Sequence, residues 1–413
     1  ASCDKDHNLN AAIQDSQFYE AIIDAWSMRH FKRGMETGHD HFFNSFKKFH
    51  AITSIHRGEA LADIVARSAL QNEVYLELMI HTDVTLTAQK LLLMAWNNDF
   101  ESMYQKILAA DMSDVVKQLS LKLDTQETQM QEILACNSVQ AHIGCKLPVR
   151  YIYQVARENT PLLVFGQMVA GFEFANHDKR VVAINLVQPE DGLIAMRDYR
   201  LHMEMIAFLR KKYPNIKLTL HAGELSEATV NREDLKTHIT DAVRIANADR
   251  IGHGVDILFE DNATSLLKEM AHKKVLVEVN LSSNQFILDV SGPHHPLLHY
   301  LNHGVPIALS TDDEGISRSD LTQEFQLATV TYDLTYPIIK TMVRNSLTYA
   351  FLPGESLWQE GLVHRYHSAC SQDVPETKQL SPQCQAFLSR SEKATLQWEL
   401  EKRFTIFEHS LRG

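Results

Sequence analysis

The stretch IKLTLHAGE, residues 216–224, carries an alternation that decides the fold. Successive side chains of a strand face opposite ways, so Thr219 and His221 share one face and Leu218 and Leu220 the other. Two more runs repeat the pattern. In VLVEVNLSS (275–283), Glu278, Asn280 and Ser282 stand opposite Val277, Val279 and Leu281. In PIALSTDD (306–313), Ala308, Ser310 and Asp312 stand opposite Ile307 and Leu309. A strand buried on both faces of an open sheet reads as almost continuously apolar. One apolar face and one small or polar face mark the outside and inside of a barrel.

Four other strand-sized runs occur: VYLELMI (74–80), VRYIYQVA (149–156), VVAINLV (181–187) and RIGHG (250–254). Helical patterns such as DYRLHMEMIAFLRKKY (198–213) and DILFEDNATSLLKEMAHK (256–273) separate the runs. Strands alternating with helices imply parallel pairing through crossovers, and the parity selects a TIM-type (β/α)8 barrel with extra helices. With no repeat, low-complexity tract or long linker, the expectation is one barrel domain over 1–413. It has a helical segment at 10–70, barrel strands between 74 and 313, and helices over 320–413. Residues 85–140 read as helical, their Met and Trp residues as core.

Forty basic against 52 acidic residues give a net charge of −12, with no basic run or stripe. Nucleic acid and anionic membrane are therefore excluded as partners. No run approaches the ~20 apolar residues of a membrane span. The chain opens at Ala1 rather than Met and is expected to be a processed product or a fragment. Its five cysteines form no CxxC. They are expected as free buried thiols, with Cys136–Cys145 or Cys370–Cys384 the one disulfide an oxidising compartment would permit.

Titratable residues gather at the C-terminal ends of the runs: His221 and Glu224, then His253, then Asp312 and Asp313. A barrel brings these ends to one rim, where such enzymes carry their chemistry. Imidazole and carboxylate suit Zn²⁺, which lowers the pKa of bound water from ~16 towards ~7. The PCxxC signature that supplies two zinc ligands in the cytidine deaminases is missing.

LHAGE, RIGHG and LSTDD, in that order, resemble the adenosine deaminase family of metal-dependent barrel hydrolases. VRYIYQVAR, VVAINLVQPED, VEVNLSSNQFI and NSLTYAFLP extend the resemblance over most of residues 40–365. GHDHFFNSFKKF (38–49) resembles the bacterial and secreted adenosine-deaminase-like branch. That implies export, periplasmic or secreted, with a cytoplasmic location left open. The resemblance implies zinc-dependent hydrolytic deamination of adenosine or 2′-deoxyadenosine, with one Zn²⁺ per subunit on His221 and Asp312. Glu224 would protonate the purine ring at N1, and so would need a pKa raised by burial. His253 would bind and orient the metal hydroxide, and Asp313 would hydrogen-bond the purine or the nucleophile. Gln188 and Gly223 would also line the substrate site, Gln188 and Pro189 replacing a smaller glycine-containing loop. A purine nucleoside is the expected partner, ahead of AMP because an acidic chain offers phosphate no long-range attraction. The alternatives are another aminopurine or C–N substrate in the same superfamily, or a non-catalytic barrel binding protein.

The family holds its metal with two further histidines on a first strand resembling PKxELHxHL. No such run precedes residue 16, only seven strand runs are counted, and the pair is expected upstream of Ala1. His39 and His41 form an HxH, but Phe42, Phe46 and Phe49 follow at helical spacing, so the two imidazoles read as the start of an amphipathic helix. His294 and His295, in SGPHHPLLH, read as a surface loop. Oligomeric state is not legible.

Overall fold

The computed structural model describes residues 13–34, 36–80, 84–359, 362–375 and 379–411. Seven parallel strands run in sequential order: β1 (Leu76–Ile80), β2 (Val149–Ala156), β3 (Val181–Val187), β4 (Lys217–Ala222), β5 (Arg250–His253), β6 (Leu276–Val279) and β7 (Ile307–Leu309). Helices lie between each strand and the next, as in a (β/α)8-type barrel. Among the described residues β7 and β1 are not paired with each other. The helix Tyr336–Thr348 and the segment after it span that gap at its base. Asn345 donates to the β7 carbonyl of Ile307 (2.9 Å), and the Phe351 N–H donates to Glu77 on β1 (2.6 Å).

The expected parity is present where it can be checked. Thr219 Oγ1 donates to Glu278 Oε1 (2.8 Å) across the interior, and β5 pairs Arg250 with Thr219, so Arg250 points inward too. Its guanidinium lies between Glu77 (2.6 Å) and Glu278 (2.6 Å), against the Phe351 ring (3.9 Å to the centroid). Outward residues such as Leu218, Leu220, Ile251 and Val277 are fully buried beneath the helices. Helix Pro161–His177 is apolar nearly all round, and every residue from Val164 to Phe172 is buried in this core.

Three expectations need correction. VLVEVNLSS is strand only to Val279, and Leu281 already begins a helix, Leu281–Leu288. Both cysteine pairs, Cys136–Cys145 and Cys370–Cys384, are disulfides rather than free thiols. The C-terminal region is not all helix: Trp358–Gln359 and Leu362–Tyr366 form an antiparallel hairpin. Its Trp358 packs with Phe387 and Trp398 around the second disulfide. Among the described residues no helix is long and apolar enough to cross a membrane.

His202, on the helix Leu193–Lys212, is fully buried, and neither ring nitrogen has a hydrogen-bond partner. Burial pushes its pKa down to about 4. The unfolded chain takes up this proton near the ordinary value of 6.5 and the folded chain only near 4, so the site costs stability as pH falls between them. His202→Leu is expected to stabilise the protein by about 2 kcal/mol more at pH 5 than at pH 8, read from urea unfolding at both values.

Candidate active site

The pairing of β4 with β5 sets His221 opposite Gly252 and Ala222 opposite His253. Strict alternation would send His253 outward with Ile251. Instead His253 has φ +70° and Gly254 φ +60°, and this left-handed turn re-aims the imidazole onto the rim. Gly223 (φ +74°) and Asp312 (φ +53°) bend the neighbouring strand ends in the same sense. As a result, ligand-capable atoms of His221, His253 and Asp312 lie within 4.8 Å of one another, and His253 Nε2 is 3.7 Å from Glu224 Oε1.

Hydrogen bonds fix the proton on His253. The Leu297 N–H donates to His295 Nδ1 (3.2 Å), so that imidazole carries its proton on Nε2 and donates to Asn284 Oδ1 (3.1 Å). Asn284 therefore presents its amide nitrogen to His253 Nδ1 (2.9 Å), which Asn280 Nδ2 also approaches (3.3 Å). With Nδ1 accepting, His253 points an Nε2–H towards Glu224. His295 is thus a buried member of this chain and not a surface residue as expected; His294 beside it is exposed.

Burial, and then the charges of Asp312 and Glu190, push the Glu224 carboxyl well above its ordinary value and keep it protonated. Asp313 opens onto the cleft yet has protein densely around it; that desolvation and the adjoining Asp312 raise its pKa as well. Asp312 accepts from Ser283 Oγ (2.6 Å). His221 is anchored through its backbone to Asn185 Oδ1 (3.0 Å), while its Nδ1 is buried without a hydrogen-bond partner. An orphaned imidazole nitrogen beside a carboxylate is a donor set that fits Zn²⁺.

Neither His39 nor His41 joins the ligand-capable group of His221, His253 and Asp312, although the His39 charge reaches Glu224. His39 and His41 open the helix Gly38–Thr53, capped by Thr37. His39 Nε2 meets Asp191 (3.0 Å), and His41 meets Glu36 (2.6 Å) and the Ser27 carbonyl (3.0 Å). Gly38 packs so tightly on Phe286 that a Cβ would collide with its carbonyl, which docks the helix on Leu281–Leu288. Gln188 (φ +83°) spends its side-chain oxygen on the Glu158 N–H (2.8 Å) and its carbonyl on Arg157 Nε (2.9 Å).

Two residues at the site were not legible in advance. Arg157, fully buried, extends beneath Gln188 towards the His221 carbonyl (3.4 Å). Glu190 accepts from the Gly223 N–H (3.0 Å) and the Glu224 N–H (2.9 Å), and pairs with His238 Nδ1 (2.6 Å), whose ring stacks on Tyr199. Burial opposes its ionisation, but the His238 hydrogen bond and charge outweigh that and hold its pKa at about 2. A Cβ on Gly223 would collide with Asp256 and Ile239, so both space and backbone angle require glycine there. An acidic residue in a VQPED loop carries no sign that its partners are backbone amides more than 30 residues on.

Glu190→Ala strands those two N–H groups and the imidazole. It is expected to cost about 3 kcal/mol at pH 7. Because the folded pKa lies below the ordinary 4.5, the contribution is complete above pH 4.5 and vanishes as pH falls through about 2. The difference from wild type in denaturant unfolding should shrink over that window.

A family model described as adenosine deaminase matches residues 117–359. Among curated relatives, the N6-methyl-AMP deaminase of Danio rerio is 28% identical over 234 residues, covering 55% of this chain and 61% of that protein. The adenosine deaminase of Edwardsiella ictaluri is 32% identical over 175 residues, covering 42% and 47%. The chain thus spans about half the length of the curated relatives it matches. The apo structure of the N6-methyl-AMP deaminase from Arabidopsis thaliana superposes with a TM-score of 0.54 at 18% identity, over 83% of this chain and 86% of that one. At that identity the likeness speaks for the fold. The matched segment runs from before β2 to beyond β7 and contains every rim residue described above, and the chain belongs to the adenosine deaminase family.

Proposed function

We propose that the protein hydrolyses adenosine and 2′-deoxyadenosine to the inosine product and ammonia. The observation that carries this reading is a buried, protonated Glu224 facing the His253 N–H beside His221 and Asp312.

His221 and Asp312 would hold one Zn²⁺. When bound, the ion supplies a water activated near neutral pH. The two further histidines of an HxH strand belong to this proposal as well. Glu224 delivers its proton to ring N1, making C6 electrophilic where charge develops in the transition state. Through its Nε2–H, His253 donates to the attacking oxygen and orients it. That role needs the proton on Nε2, which is why His253 is assigned to the nucleophile and not to the ion. Asp313, raised in pKa, can donate or accept towards the purine. Gly223 allows close approach of the ring, and Gln188 helps hold the β3 side of the cleft through Glu158 and Arg157.

A second reading, an N6-substituted AMP as substrate, is favoured by the likeness to N6-methyl-AMP deaminases. Against it, Asp191 in the loop after β3 and Asp312, Asp313 and Glu314 after β7 make the strand ends acidic, which offers a phosphate no attraction. The nearby cations His39 and Arg67 are already paired, with Asp191 and with Asp63 and Glu314. At equal concentrations adenosine should turn over faster than AMP or N6-methyl-AMP; the reverse order would select the second reading. We also propose an exported, oxidising location, supported by the two disulfides.

Glu224→Gln should keep its metal, measured by elemental analysis, and lose ~10²-fold or more, mainly in kcat, because an amide cannot deliver the proton. His221→Ala should lose metal and activity together. A Glu224→Gln protein with near-normal turnover would defeat the proton-donor role.

A further inference from the structure

On the face of the barrel opposite the rim, where β4, β5 and β6 begin, lies a cavity of 390 Å³. Four of its lining residues are lysines, Lys217, Lys273, Lys274 and Lys393, in a chain whose net charge is −12. Its one acid, Asp249, is already engaged by Arg210 (2.7 Å), Lys217 (3.0 Å) and the Leu218 N–H (3.0 Å).

Lys393 is the least comfortable of the four. It sits in the first turn of the helix Glu392–Ser410, where the helix end is itself partly positive. One of its three N–H groups goes to the Thr348 carbonyl (3.0 Å). Burial, joined by the like charge of Lys217 and opposed by Glu77, pushes the ammonium down to about 8. Glu77 is bound to Arg250, Tyr75 and the Phe351 N–H. Burial, like charge and helix end all disfavour a cation here, and the opposite charge of a bound anion would offset them.

We propose that this cavity binds a small phosphate-bearing metabolite, its phosphate held by Lys393 and Lys217; Lys273 is paired with Glu269 (2.8 Å) and adds only its charge. A multiply charged tetrahedral oxyanion can accept from both ammonium groups at once. The volume is that of a small-molecule site, and a concave pocket of a few cations does not follow a polymer backbone. This inference is independent of the deaminase reading, since it involves neither the rim nor turnover.

Inorganic phosphate titrated calorimetrically into the full chain at fixed ionic strength tests it. Millimolar or tighter binding is expected, weakened ~10-fold or more in Lys393→Met and in Lys217→Met. Should Lys393→Met fail to fold, Lys217→Met decides, because that side chain is half exposed. Ribose 5-phosphate should compete with phosphate and bind at least as tightly; its exclusion would overturn the metabolite. Sulfate should compete and chloride should not; equal competition by chloride would reduce the cavity to ionic-strength screening. Absence of binding, or binding that survives both substitutions, would place the phosphate elsewhere and overturn the proposal.

Discussion

The guanidinium of Arg250 joins parts of the barrel that the sheet alone leaves apart. It reaches from β5 to Glu77 on β1 and Glu278 on β6, lies on Phe351, and donates to the Tyr349 carbonyl (3.2 Å). Taking such charges out of water costs several kcal/mol each, and truncating one partner costs about 3–5 kcal/mol. The arrangement is tolerable only when both carboxylates arrive at one height in the barrel. A strand slipped by one residue would turn Glu278 or Arg250 towards the helices and leave its partner buried alone. The positions of His221 and His253 at the other end inherit that registration, since β4 and β5 carry Thr219 and Arg250 below them.

Above this layer the rim is built by departures from regular strand. His253, Asp312, Gln188 and Gly223 all occupy left-handed backbone, and three of the four are not glycine. Non-glycine residues held this way cost of order 1–3 kcal/mol each and persist only when the surroundings impose them. Here the imposing groups are visible: Arg157 on the Gln188 carbonyl, Glu190 on the amides of Gly223 and Glu224, Ser283 on Asp312, and the asparagines on His253. Two buried carboxyls 34 residues apart in sequence thereby reach opposite states. Glu190, with an imidazole and two amides, stays ionised; Glu224, with carboxylates for neighbours, stays protonated.

How much of this could be read from the residues depends on how local each cause is. Alternation along IKLTLHAGE is a property of adjacent residues, and it located the strands and the inward face. The polar strand ends at His221, Glu224, His253 and Asp312 were legible for the same reason. VLVEVNLSS misled past Val279 because its apolar residues suit a strand and a buried helix equally. His295 looked exposed beside Gly292 and Pro293, yet its partner Asn284 lies on the preceding helix, 11 residues back. The disulfides depended on which cysteines meet in space, and the Trp358–Tyr366 hairpin on packing against Trp398. Glu190 and Arg157 act on backbone atoms of other strands, which no side-chain pattern records.

The left-handed turn at His253 also bears on how such a site can decay. Glycine accepts that conformation freely, asparagine, aspartate and histidine more readily than most, and β-branched residues hardly at all, so a descendant that abandons the chemistry cannot drift there freely. Replacement by valine or isoleucine would add a backbone penalty to the lost hydrogen bonds from Asn280 and Asn284. The substitutions open to a silenced copy are therefore few and small. A lineage that kept the barrel and lost the reaction would carry a polar or glycine scar at this position, and the loss would stay readable long after the activity had gone.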